Sequence, residues 1–65
     1  MNLGKNIQAA RKRAGMTQKE LAKIIGVLQK DISRWENNHL TPNAIMFGNI
    51  CRAIGASADE ILELK

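Results

Sequence analysis

The sequence predicts a small all-α domain of five helices, and three observations carry that prediction. Apolar residues recur at helical spacing in successive segments, and no segment alternates with the period of a strand. Two capping boxes, Thr17 with Glu20 and Ser57 with Glu60, mark helix starts. Gly15, Gly26 and Gly55 stand where helical runs stop.

The first helix is predicted over residues 3–14, because Leu3, Ile7, Ala10 and Ala14 fall on one face and Gly15 follows as a stop. In the second, the Thr17 hydroxyl can accept from a first-turn amide while Glu20 reaches back to the cap. Leu21, Ala22 and Ile25 form its inward face, and Lys19 and Lys23 lie one turn apart outside. Gly26 then allows the left-handed backbone that a tight turn between helices requires.

A third helix is predicted over residues 28–36. At about 100° per residue, Leu28, Ile32 and Trp35 share an inward stripe, while Gln29, Lys30, Ser33, Arg34 and Asn37 form one polar arc. Asp31 lies in the first turn, where a carboxylate favours the positive end of the helix and can satisfy a free amide. Residues 37–42 make the longest connection and end on the lone proline, Pro42. Ala44, Phe47, Ile50, Cys51 and Ile54 repeat at helical spacing before Gly55. The Ser57 box opens a short fifth helix that turns Ala58, Ile61 and Leu62 inward.

Composition narrows the function. A chain of 65 residues has room for one domain, 1–65, which buries about 60% of the surface of its unfolded chain. A hydrophobic content of 45% with 25% charged residues is that of a globular protein rather than a disordered one. One cysteine forms no intrachain disulfide, and without a Cys/His cluster no metal or other cofactor is expected. Cys51, Trp35 and the methionines Met1, Met16 and Met46 read as core, filler or initiator residues. No apolar run approaches the roughly 18 residues of a membrane span, and the N-terminus lacks a signal-peptide core, so a cytoplasmic location is expected.

The net charge is +4 and unevenly placed: cations dominate the first two-thirds, whereas Asp59, Glu60 and Glu63 make the end acidic. Such an excess suits a polyanion or simple solubility. Catalysis is not expected, because one His, one Cys and scattered carboxylates supply no nucleophile, base and orienter set. Single-stranded RNA is disfavoured by the absence of Tyr and by a lone Phe and a lone Trp on inward stripes.

Two helices joined by a short turn suit duplex DNA, since the second can lie in a groove about 12 Å wide while the first braces across the backbone. The arc fits that use. Gln29 can pair with adenine, Lys30 and Arg34 can donate to guanine, and Ser33 can serve several bases.

Over nearly its whole length the sequence resembles the helix-turn-helix regulators of the Cro and lambdoid-repressor (XRE) family. The matching residues include Ile7, Arg11, Gly15, Thr17-Gln18, Leu21-Ala22, Gly26-Val27, Ile32, Trp35-Glu36 and Pro42, then Phe47, Ile50, Ile54-Gly55 and Ile61. The resemblance implies a lambda-repressor-like fold, with Gln18 on a DNA phosphate and Gln29, Lys30 and Arg34 at base edges. It places Ser33 and Asn37 where bases or backbone are contacted, and it implies that Arg11 pairs with Glu36. Thr17, Lys19, Asn38 and His39 complete the set of phosphate candidates, His39 being otherwise a solvated loop residue. Lys5, Lys12 and Arg13 are either a solvated face or further contacts.

Three departures from the family pattern stand out. Leu28 replaces a small hydroxyl residue and has no acceptor, so the third helix is expected to start with a different cap. Leu28 then belongs to the inward stripe or, alternatively, touches a thymine methyl. Asn38 replaces a glycine and tolerates the left-handed region better than most residues. Asp31 puts a negative charge near the DNA face.

The function expected from this reading is a sequence-specific, double-stranded DNA-binding transcriptional regulator, a repressor associated with the nucleoid. A homodimer on a palindromic operator, with half-sites about 34 Å apart, supplies affinity that one short helix lacks. Ile45, Met46 and Leu64 are candidates for the dimer surface, and no small-molecule effector is evident. The alternative is a protein-interaction module, antitoxin-like or polymerase-contacting, with weak DNA binding. Such a module would have exchanged the basic and amide residues of the arc for apolar ones.

Overall fold

Helices α1 (Leu3–Arg13), α2 (Gln18–Ile25), α3 (Gln29–Glu36), α4 (Ala44–Ile54) and α5 (Ala58–Leu62) follow one another in this computed structural model, which describes residues 2–63. Among the described residues there is no strand. Each helix begins at a residue with extended backbone, and in four of the five that residue's side chain accepts a hydrogen bond from a first-turn amide. The capping residues are Asn2, Thr17, Asn43 and Ser57, with the Thr17–Glu20 and Ser57–Glu60 boxes both closed.

The core has two centres. Ile7, Ala10, Ile50 and Ile61 join α1, α4 and α5, while Leu21, Ala22 and Ile32 join α2 and α3. Ile25, Trp35 and Ile54, each half-buried, pack against both and fuse them. Cys51 lies half-buried against the first centre, and that burial pushes its thiol above the ordinary value.

Four inward assignments made from periodicity differ from the structure. Ala14 is the C-cap of α1 and is exposed, because the helix ends at Arg13, one residue earlier than the stripe suggests. Ala44 and Ala58 are exposed as the first residues of their helices, where the Cα–Cβ bond leans toward the N-terminal end and away from the core. Leu28 is 60% exposed and is the N-cap of α3 rather than part of it. Its extended backbone takes its side chain off the 100° wheel that placed it beside Ile32. Of the candidate dimer residues, Ile45 is exposed and Met46 half-buried, and Leu64 lies outside the described residues, as does Met1.

No described helix is long and apolar enough to cross a membrane.

Candidate nucleic-acid interface

The turn between α2 and α3 is short because Gly26 sits at φ 78°, where its amide and that of Val27 both donate to the Ala22 carbonyl, at 2.9 and 3.0 Å. Val27 tucks against Leu21, Ala22 and Ile32, so the chain enters α3 with its direction set by the core. The head of α3 is capped from within: the Leu28 amide donates to Asp31 Oδ2 at 3.2 Å, which is the role foreseen for Asp31. The reciprocal bond of a capping box needs a side-chain acceptor, which leucine lacks.

Because Ile32 is fully buried, the opposite face of α3 is turned to solvent. Gln29, Lys30 and Arg34 are exposed and Ser33 half-buried, and together with Gln18 they line one shallow, open depression. An amide, an ammonium, a hydroxyl and a guanidinium thus share one side of a two-turn rod. Arg34 lies 3.9 Å from Asp31 Oδ1, one turn back along the same face.

The residues assigned to phosphate divide into two groups. Lys19, in the first turn of α2, and His39, three residues beyond the end of α3, are exposed. The others make bonds within the protein. The Thr17 hydroxyl accepts from the Glu20 amide at 3.0 Å, and the same box, through the Thr17 amide's 2.9 Å bond to its carboxylate, holds Glu20 below the usual carboxylate range. Gln18 Nε2 donates to Glu36 Oε1 at 3.0 Å. Asn37 Nδ2 turns back to the Ser33 carbonyl at 2.9 Å. Asn38, at φ 60°, accepts from the Gly4 amide at 2.9 Å and donates to Asn2 Oδ1 at 2.7 Å.

Arg11 and Glu36 are both buried and are joined by two hydrogen bonds, Nε to Oε2 at 2.6 Å and Nη2 to Oε1 at 3.0 Å. Arg11 Nη1 also donates to the Met16 carbonyl at 2.8 Å. One guanidinium therefore braces the loop before α2 and the last residue of α3. Periodicity had no place for Gly4, which is buried where a Cβ would overlap the carbonyl oxygens of Trp35 and Glu36. A glycine inside the first turn of a helix was its one sequence signal. Asn6, whose Nδ2 reaches the Ile61 carbonyl at 2.8 Å, ties α1 to α5 and gave no signal.

The pattern of the helix-turn-helix family matches residues 7–61 of this chain. The chain belongs to that family, in its XRE-type branch. Over 60 residues it is 33% identical to antitoxin PezA of Streptococcus pneumoniae serotype 4, covering 92% of this chain and 38% of that protein. Over 55 residues it is 42% identical to the endothelial differentiation-related factor 1 homolog of Gallus gallus, covering 85% and 37%. Over 61 residues it is 33% identical to repressor protein C2 of Salmonella phage P22, covering 94% and 28%. This helix-turn-helix chain thus spans well under half the length of those three relatives.

Proposed function

We propose that the chain is a sequence-specific, double-stranded DNA-binding transcriptional regulator that acts as a repressor, with α3 docked in the major groove. The observation that carries this reading is the single open face on which Gln29, Lys30, Ser33 and Arg34 stand together beside Gln18. Each of those α3 side chains has a base-edge partner, and a helix of two turns fits the groove. Lys19 and His39 flank the face as phosphate contacts, and the first-turn amides of α2 together with Thr17 and Gln18 meet the backbone beside them. Asn37 and Asn38 follow at the far end. Phosphate contacts set position on the duplex and the arc sets sequence choice.

A helix of eight residues reads few base pairs, so a homodimer on a palindromic operator is the form in which affinity becomes useful. The antitoxin name of one relative belongs to a longer protein. A protein-docking role for this same face is disfavoured by its content of amide and charged groups. Selection of bound sequences from a random duplex library, followed by electrophoretic shift at two salt concentrations, tests the reading. Recovery of one motif with inverted half-sites supports it; recovery of no preferred sequence refutes it.

A further inference from the structure

We propose that Leu28 is itself a sequence-reading residue, one that seats against the 5-methyl group of a thymine in the major groove; this rests on the DNA-reading function above. Leu28 is a large apolar side chain that is 60% exposed and packs in neither core centre. The core has no need of it, because Val27 already supplies the contact of the turn with Leu21, Ala22 and Ile32. Its position is the N-cap of α3, next in the chain to Gln29, which lines the polar depression. The N-terminal residues of a recognition helix are the ones that reach base edges. Thymine alone among the standard bases presents an apolar group there, the C5-methyl.

Stability of the free domain does not account for a leucine at this place. Serine, threonine, asparagine or aspartate would accept a first-turn amide, whereas leucine forgoes that bond and leaves apolar surface in water. Asp31 recovers part of the cap by accepting from the Leu28 amide. A residue that weakens the helix start and exposes hydrocarbon fits a partner that brings its own apolar atom to the face. A methyl group beside the bases read by Gln29 and Lys30 is such a partner.

The test replaces each thymine of the selected duplex, one at a time, by deoxyuridine, which removes only the methyl. Wild type is expected to lose about fourfold in affinity at one thymine per half-site, the scale of one buried methyl group. Leu28→Ser, whose hydroxyl restores the cap, is expected to melt no lower than wild type and to be indifferent to that replacement. Leu28→Ala, which restores no cap, should be equally indifferent, and Leu28→Met should keep the sensitivity. Sensitivity that persists in Leu28→Ser, a duplex with no sensitive thymine, or a Leu28→Ser protein that unfolds would each overturn the proposal while leaving the DNA-reading function intact. Failure to select any preferred duplex would overturn both.

Discussion

Arg11 and Glu36, separated by 25 positions in the chain, form a buried two-bond ion pair that joins α1 to the last residue of α3. Glu36 Oε1 also accepts from Gln18, so the start of α2 and the end of α3 are held by one carboxylate. The pair is the mechanical link between the scaffold helix and the two helices of the motif. Its stability is conditional, since two charges taken out of water repay that loss only while both are present.

Removing one partner is therefore the severe perturbation. Arg11→Ala is expected to cost about 3–5 kcal/mol, because it leaves Glu36 charged and buried. Small domains have about 0.05–0.15 kcal/mol of stability per residue, or about 3–10 kcal/mol for 65 residues, so the variant should lose a third or more of its stability. A double variant, Arg11→Met with Glu36→Leu, removes both charges and should recover most of the loss. Urea unfolding followed by circular dichroism reads both, and an unchanged midpoint for Arg11→Ala would exclude the bracing role.

The two helical glycines are expected to respond with opposite sign. Gly4 faces the carbonyl oxygens of Trp35 and Glu36, both backbone atoms at the close approach of α1 to the end of α3. A Cβ there must push the helices apart, and Gly4→Ala should destabilise by about 1–3 kcal/mol. Gly48, within α4, has only the Arg52 Nη1 atom at 3.9 Å from an added Cβ. Gly48→Ala should stabilise by up to about 1 kcal/mol through helix propensity alone. Paired thermal melts decide the matter, and two shifts of the same sign would contradict the close approach at Gly4.

Local chemistry was legible in the sequence, and long-range satisfaction was not. The Thr17 and Ser57 boxes, the Gly26 turn and the five-helix order follow from short patterns, each of which closes within a few residues, whereas the left-handed Asn38 was reached through the glycine that the family resemblance puts there. The polar arc followed from the same wheel that buried Ile32. Gly4, Asn6 and the side chain of Asn38 act across the fold, on Trp35, Ile61 and Gly4 respectively, and no periodicity encodes such contacts. Leu28 was misplaced because the wheel was extended one residue beyond the helix, into a position with extended backbone. Arg11 and Glu36 were reached through the family resemblance, since charged residues at such positions read otherwise as solvated ones.

The cap of α2 should register in the pH dependence of stability. Thr17 holds Glu20 below its ordinary value of 4.5, first through the backbone bond and then through the hydroxyl. A carboxylate whose folded value is depressed stabilises the fold above the unfolded value, and that contribution is lost as pH falls through the folded one. Stability should therefore decline below about pH 4.5, more steeply in wild type than in Glu20→Gln. Thr17→Ala should cost about 1 kcal/mol at neutral pH and let the Glu20 titration move up toward the free value. Carboxyl carbon shifts followed by NMR report that titration directly, and a midpoint in wild type at or above the free glutamate value would rule out the box as its cause.

On DNA, residues of the arc and residues of the flanks should separate by what they change. Arg34→Ala or Gln29→Ala should cost about 1–3 kcal/mol on the preferred duplex and relax the choice at one base position. Lys19→Ala should weaken every duplex to a similar degree and reduce the slope of log affinity against log salt by about one. Asp31 lies 3.9 Å from Arg34 and carries a negative charge next to the proposed DNA face, so Asp31→Asn should strengthen binding to all sequences while weakening the start of α3. Shift assays on preferred and scrambled duplexes at several salt concentrations distinguish these patterns. An Arg34→Ala loss of equal size on both duplexes would move Arg34 from base reading to backbone contact.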